Sequence, residues 1–159
     1  MEELLWQELT FGFPDRNRLV VVLVRVLAAI LMGAVVGFER ERAGKPAGLR
    51  THILVSLGTA VVVLACAGSA MDMAGLSRVI QGIVTGIGFI GAGSILKVSE
   101  ERNIRGLTTA AGLWMTAAIG IAVGLGSLGL ALIGTVLTLI ILTLERLLED
   151  RAVKGKKEA

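Results

Sequence analysis

This 159-residue chain has few of the residues that form disulfides, metal sites and catalytic sites. It has one cysteine, Cys66, and one histidine, His52. A lone cysteine has no partner for an internal disulfide, and a lone histidine has no second imidazole with which to hold a metal ion. No Ser/His/Asp set or carboxylate pair in a cavity is predicted. We therefore expect no enzymatic activity, no cofactor and no metal site, with Glu39 and Asp72 the carboxylates most available to a metal.

Charge is also missing from the longest apolar run. From Leu107 to Leu144, 38 residues pass without Asp, Glu, Lys, Arg or His. Hydrophobic residues make up 54% of the chain, with 21 glycines in addition. Because about 20 consecutive apolar residues cross a bilayer as a helix, the sequence predicts an all-α polytopic membrane protein.

The apolar runs predict five transmembrane helices in a compact glycine-rich bundle. In chain order they are Leu19–Phe38, Ile53–Ala70, Val79–Val98, Leu107–Val123 and Leu128–Leu144. Residues 1–18 form an external segment, in which Trp6 and its leucine neighbours fit either a short interfacial helix or a frayed leader. Residues 19–144 are the membrane domain, and residues 145–159 are a cytoplasmic tail with no soluble domain expected after it.

Lysine and arginine predict the orientation of the bundle. The 39–51 and 97–106 loops and the tail carry 12 of these residues, against three in the opposite segments, Arg16, Arg18 and Arg78. Because basic residues concentrate on the cytoplasmic side, we expect the N-terminus outside and the C-terminus in the cytoplasm. The net charge of +3 has the same origin, so we expect contact with anionic lipids and none with nucleic acid.

The stretch TGIGFIGAG, residues 85–93, has the glycine spacing of a dinucleotide-binding loop, Gly86-x-Gly88-x-x-Gly91. That fingerprint needs a strand before it, a helix after it and an acid about 20 residues further on. Here the glycines lie within one apolar run, and Gly106 stands where the acid would be. The context therefore argues against nucleotide binding.

These glycines are better explained by helix packing, because membrane helices approach each other through small residues. Gly82, Gly86 and Gly93 fall within about 40° on a helical wheel, beside a polar stripe of Gln81, Thr85 and Gly88. Comparable spacings recur in other predicted spans. The predicted packing residues are Gly33, Gly37, Gly82, Gly86, Gly88, Gly91, Gly93, Gly120 and Gly124. They indicate a tight crossing within the bundle or a homo-oligomer.

Longer stretches carry a more specific signal. They are GFERERAGKPAGLRTHILVSLG, residues 37–58, RVIQGIVTGIGFIGAGSIL, residues 78–96, and RGLTTAAGLWMTAAIG, residues 105–120. Together they closely resemble the MgtC/SapB family of bacterial inner-membrane proteins. The resemblance implies a five-helix domain in the cytoplasmic membrane. It also implies a role in magnesium limitation, acid tolerance or virulence, depending on the member.

The family motifs supply the ligand or partner candidates. These are Glu39, Arg40, Arg50, Thr51, Arg78, Gln81, Thr85, Thr108, Thr109 and Trp114. The chain departs from the family at Gly75, where an acid is usual, and Asp72 is the candidate replacement. It also resembles a short form of the family that lacks the C-terminal cytoplasmic domain, so functions of that domain are not implied.

Basic residues crowd the predicted cytoplasmic face. Topology with lipid contact would explain them, and so would a basic recess for an acidic partner or a phosphate-bearing ligand. Glu39 and Glu41 would order such a recess by pairing with arginines such as Arg50. Thr51 and the Thr108–Thr109 pair would cap helix starts.

One arginine, Arg25, lies inside the first predicted span. We expect it to reach outward to the membrane surface, or otherwise to pair with Asp72 or Asp15.

Two functions fit these observations. One is a stress-adaptation protein that binds or regulates another membrane component, such as a membrane protein. The other is a small oligomeric transporter or channel for Mg²⁺, H⁺ or an anion. Mg²⁺ is held through carboxylates, and the cores of the five predicted spans contain none. We therefore favour the first function.

Overall fold

A computed structural model describes residues 1–4, 16–68, 71–98 and 103–157. Five long helices dominate it: α1 Arg16–Arg42, α2 Leu49–Gly68, α3 Met73–Gly93, α4 Leu107–Gly124 and α5 Leu128–Lys157. All five are long and apolar enough to cross a membrane. The predicted all-α membrane fold is therefore confirmed. The interfacial helix predicted around Trp6 falls outside the described residues.

The third span ends earlier than predicted. α3 stops at Gly93, and the chain continues as β1, Leu96–Val98, which pairs antiparallel with β2, Asn103–Arg105. Ser94 ends the helix, because its hydroxyl donates to the Gly91 carbonyl at 2.7 Å. The prediction that the span runs to Val98 is wrong, since β1 pairs with β2, five to nine positions further along the chain.

Helix α4 is the centre of the bundle. It contacts each of the other four helices, and 56% of its membrane span is buried. Its residues Ile119 and Val123 pack with Ala29 of α1 and Ala60 of α2. By contrast, only 6% of the α3 span is buried. The apolar core therefore lies between α1, α2, α4 and α5, with α3 at its edge.

Four of the predicted packing glycines lie at close helix crossings. A Cβ on Gly33 would lie 2.7 Å from the His52 carbonyl oxygen, and one on Gly37 would lie 2.8 Å from the Leu49 Cα. A Cβ on Gly124 would lie 2.7 Å from the Val63 Cβ, and one on Gly120 would overlap the backbone of α2. Helix α2 is therefore held against α1 and α4 at distances that only glycine permits.

The glycines of α3 have a different environment. Gly91 makes an ordinary contact, at 3.6 Å from its ideal Cβ position to the Ala110 Cβ. At Gly82, Gly86, Gly88 and Gly93, no atom of the described chain lies within 4 Å of that position. Within the described chain, these four glycines therefore do not lie at helix contacts. Their predicted role in packing stays a prediction for contact with a second copy of the chain.

Arg25 does not pair with Asp72, and Asp15, the other carboxylate considered for it, lies outside the described residues. The Nη1 atom of Arg25 donates a hydrogen bond to the carbonyl oxygen of Gly124, the last residue of α4, at 3.0 Å. The final carbonyls of a helix lack partners within the helix and carry partial negative charge, which favours a cation there. Asp72 instead begins α3, where its Oδ1 accepts from the Gly75 amide at 2.8 Å. Among the described residues, Arg25 therefore binds the C-terminal carbonyl of α4 and no carboxylate.

Candidate functional site

One end of the bundle contains a polar recess of about 610 Å³. The end of α1, the loop after it, the last residue of β2, the start of α4 and one residue of α5 form its wall. The lining residues are Arg40, Ala43, Gly44, Lys45, Pro46, Arg105, Gly106, Leu107, Thr108, Thr109 and Glu145. We refer to this site as the recess.

Arg40 is the most buried charged residue of the recess, at 1% exposure. Its Nη1 atom donates to Oε2 of Glu145 at 3.1 Å. The other two guanidinium nitrogens, Nε and Nη2, are buried and have no hydrogen-bond partner in the described chain. Burial of a charge without full hydrogen bonding is costly. The Arg40 guanidinium thus has unused donors next to the recess.

Carboxylates partly balance this charge. Glu145 also lies 3.9 Å from the Nζ atom of Lys45. Glu39 is 8% exposed, and its oxygens lie 3.7 Å from Arg40 Nη1 and 3.9 Å from Arg146 Nη1. These distances are ion-pair contacts and not hydrogen bonds, since both Glu39 oxygens lack hydrogen-bond partners. The network holds residues 145 and 146 of α5 against the last turn of α1.

The start of α4 forms another side of the recess. Gly106 precedes the helix with φ of +96°, and no side chain caps the first turn. Thr108 and Thr109 line the recess, so the cap predicted from them is not formed. The first amides of a helix have no intrahelical acceptor and carry partial positive charge. The uncapped start of α4 therefore adds to the positive charge of the recess.

The charge of the recess suits an anion better than a cation. Arg40, Lys45 and Arg105 line it with one carboxylate, Glu145. Among the described residues, no group of three His, Cys, Asp or Glu could hold a metal ion. Glu39 and Asp72, the carboxylates considered for a metal, lie at the last turn of α1 and the first residue before α3. These positions are at opposite ends of the bundle.

A second polar layer is buried between α2 and α4. His52 is fully buried, with Nδ1 at 2.7 Å from the Thr116 Oγ1 atom. The Thr116 hydroxyl donates to the Gly112 carbonyl at 2.9 Å, so it accepts from His52. His52 Nε2 and the Ser56 hydroxyl are buried without hydrogen-bond partners in the described chain. His52 therefore lies in the interior of the bundle.

Other predicted residues are not brought to the recess. Arg50 and Thr51 line a separate apolar groove between α2 and α3. Glu41 does not pair with Arg50; its Oε2 accepts from the Leu49 amide at 3.0 Å and so caps α2. Thr51, predicted as a cap, begins no helix, because α2 starts at Leu49.

The outer candidates lie on exposed helix surfaces. Arg78, Gln81 and Thr85 are exposed on α3, and the Thr85 hydroxyl donates to the Gln81 carbonyl at 2.9 Å. Trp114 is 47% exposed on α4. Of the family-motif candidates, the recess therefore gathers Arg40, Thr108 and Thr109, with Glu39 paired beside it.

Glu145 is the recess residue that the sequence interpretation missed. It was assigned to the tail, yet it pairs with Arg40 across 105 positions. One signal was present, since Glu145 is the first charged residue after the charge-free run. A carboxylate directly after a long apolar span lies at a bundle end, where the cations of other helix ends can reach it.

Comparison with known proteins agrees with the motifs. Residues 26–151 match the model of the MgtC family. The chain is 45% identical over 130 residues to SrpB of Synechococcus elongatus, covering 75% of this chain and 71% of that protein. It is 46% identical over 124 residues to YhiD of Escherichia coli, whose name proposes a magnesium transporter, covering 74% and 56% of the two chains.

The Salmonella typhimurium protein MgtC is 43% identical over 125 residues, covering 79% of this chain and 52% of MgtC. The chain thus spans little more than half the length of YhiD and MgtC. No solved structure matches the chain. The extent of the family match and the identity to SrpB show that this chain belongs to the MgtC family.

Proposed function

We propose that this chain acts in the bacterial cytoplasmic membrane, in adaptation to magnesium limitation or acid stress, by binding another membrane component. The recess is the binding site, and the protein is not an enzyme. The name and family of the relatives support the physiological setting. The recess supports the mode of action, because its buried cation, Arg40, has two donors without a partner in the described chain.

The observation that carries the proposal is the contrast between the open recess and the closed core beyond it. Gly120 and Gly124 of α4 contact Ser56, Thr59 and Val63 of α2 at distances that leave no space. Arg25 then occupies the far end of α4. A conduction path needs a continuous polar lining, and this packing between α2 and α4 supports a binding role instead.

The excess of Lys and Arg at the recess end supports a cytoplasmic position for it. The predicted cytoplasmic segments hold 12 basic residues against three on the other side, a bias typical of the cytoplasmic face. The N-terminus then lies outside. Exposed basic residues around the recess would contact anionic lipids.

A small oligomeric transporter is the second candidate. The proposed transport role in the name of YhiD favours it. So does the exposed face of α3, where Gln81 and Thr85 lie beside glycines whose ideal Cβ positions have no neighbouring atom of the described chain within 4 Å. In a homo-oligomer this face would line a path between subunits, with the backbone carbonyls of α3 as ligands.

Growth and flux measurements separate the two candidates. A host strain lacking the chain is grown at limiting magnesium with wild-type protein or variants. We expect loss of growth support with Arg105→Gln and with the double variant Arg40→Gln, Glu145→Gln. Arg42→Gln is the matched control, because Arg42 is an exposed arginine of the same bundle end that does not line the recess.

The same proteins are then reconstituted into liposomes. The binding proposal predicts no flux of Mg²⁺, H⁺ or phosphate above that of empty vesicles. Flux that Thr85→Val abolishes, with growth support unaffected by the recess variants, would replace the binding proposal with the transporter.

A further inference from the structure

We infer that the recess binds a dianionic phosphate group, supplied either by a soluble phosphate or by the phosphomonoester headgroup of a lipid. The inference rests on the proposed function, because it names the chemistry of the component that the recess binds. Three independent features of the recess support it: the free edge of Arg40, the start of α4, and the balance of charge.

Arg40 offers a pair of donors in the geometry that phosphate uses. Its Nε and Nη2 atoms form one edge of the planar guanidinium, and both lack a partner although Arg40 is 1% exposed. Two parallel N–H donors on one edge match two oxygens of a carboxylate or phosphate. Glu145 occupies Nη1, on the other side of the group. A second acceptor would complete the hydrogen bonding of Arg40.

The start of α4 supplies donors of another kind. This helix is 18 residues long, and its first turn has no side-chain cap. Uncapped amides at a helix start, with the helix dipole behind them, form a common site for phosphate groups. The Thr108 and Thr109 side chains line the same recess and add hydroxyls. At the opposite end of α4, Arg25 compensates the partial negative charge of the last carbonyl groups. The partial positive charge at the start of α4, in the recess, has no such compensation from a side-chain cap.

Charge and size complete the argument. Arg40, Lys45 and Arg105 line the recess with Glu145 as the one acid. The Glu145 carboxylate would repel an anion, but it lies 3.1 Å from Arg40 Nη1 and 3.9 Å from Lys45 Nζ, which compensates its charge. At about 610 Å³ the recess exceeds a bare phosphate. An esterified phosphate therefore fits as well as a free one.

The experiment measures binding with two probes. The first is radioactive inorganic phosphate in equilibrium dialysis against protein in phosphatidylcholine nanodiscs. The second is phosphatidic acid, added to such nanodiscs and quantified in the lipid retained by the purified protein. We expect saturable binding of at least one probe to wild-type protein. Binding of inorganic phosphate identifies the soluble source, and retention of phosphatidic acid alone identifies the headgroup.

Variants place the binding site. Arg105→Gln removes a cation from the rim and should weaken binding about tenfold or more, as expected for one charge-assisted contact. The double variant Arg40→Gln, Glu145→Gln keeps a neutral hydrogen-bonding pair while removing the Arg40 fork, and it should abolish binding. If this buried double variant fails to fold, Arg105→Gln decides. Arg42→Gln changes the net charge equally outside the recess and should bind as wild type does.

The outcomes separate this inference from the proposed function. Absence of saturable binding of both probes, or equal weakening by Arg42→Gln and Arg105→Gln, overturns the phosphate site. If the recess variants lose growth support but wild-type protein binds neither phosphate probe, the proposed function stands and the phosphate inference is refuted. Phosphate binding that the recess variants lose while they still support growth supports the ligand site and refutes the proposed function.

Discussion

The glycines of α3 and those of α1 and α4 share a sequence spacing but not an environment. Gly33 and Gly37 of α1, like Gly120 and Gly124 of α4, lie where a Cβ would strike helix α2. Gly82 and Gly86 of α3 have the same four-residue spacing, and nothing in the described chain lies within 4 Å of their ideal Cβ positions.

Glycines spaced four residues apart therefore indicate that a helix can pack closely, but they do not identify the helix against which it packs. In lipid, a close approach gains van der Waals contact and interhelical hydrogen bonds without a hydrophobic driving force. Around α2, these contacts are made within one chain. On α3, the same surface remains available to lipid or to another molecule. Substitutions on both sides of this contrast, and at two further close contacts of α4, should lower stability to different degrees.

Gly120→Leu should have the largest effect. Its side chain would overlap the Ser56 carbonyl and the Thr59 hydroxyl, which belong to a helix that cannot withdraw without opening the core. We expect a loss of about 3 kcal/mol or more of unfolding free energy, seen as little folded protein after detergent extraction. Gly82→Leu is the matched control on α3. Equal losses in the two variants would contradict the contrast.

Gly106→Ala should be the next most damaging change, because Gly106 leads into α4 with φ of +96° and lies against the Ser94 carbonyl. The strained backbone and the collision together should cost about 1–3 kcal/mol, measured by thermal or denaturant unfolding in micelles. Gly44→Ala shares the positive φ, at +65°, but has open space at its Cβ. It should therefore cost less, and an equal cost would show that the collision with Ser94 has no effect.

Arg25→Met should have a smaller effect. The variant keeps an apolar stem of similar length but loses the hydrogen bond to Gly124 and the positive charge at the end of α4. Because such polar contacts in membrane bundles contribute about 0.6–1.7 kcal/mol, we expect a loss of about 1 kcal/mol in unfolding free energy. Arg18→Met is the comparison, since Arg18 makes a longer, exposed contact of 3.4 Å to Ala67. A larger loss at Arg18 would contradict this assignment.

Gly86→Ile should change the stability of an isolated chain least, by less than about 0.5 kcal/mol, because its side chain meets open space. If α3 packs against a second copy, the same variant should lower the particle mass measured by light scattering in detergent. Unchanged mass with unchanged stability would assign the α3 face to lipid. A stability loss comparable to that of Gly120→Leu would show that α3 packs against its own chain.

Much of the fold was predictable, because hydrophobic length is a local property of the chain. Four of the five spans begin or end within a few residues of the helices, and the central charge-free run divides into α4 and α5 as expected. The early end of α3 was not predictable from apolar content. Residues 96–98 are as apolar as many helical segments, and they form a strand because β2 supplies their partners.

The candidate site was predictable only in part. Arg40, Thr108 and Thr109 were identified from the family motifs, and a basic recess was among the alternatives. The role of Glu145 was not, because its partner Arg40 lies 105 positions earlier. The arrangement of Arg25 was missed for a related reason. Its acceptor is the backbone carbonyl of Gly124, and every residue type carries a carbonyl, so nothing in the sequence singles this one out.

The sequence by itself determined that this chain spans a membrane five times and belongs to the MgtC family, since both follow from apolar length and motif identity. Tertiary structure alone decided which glycines touch another helix, which arginine is buried with unused donors, and which acid stands beside it. Each of these features depends on which residues lie next to one another in space, and this is decided only when the helices pack together.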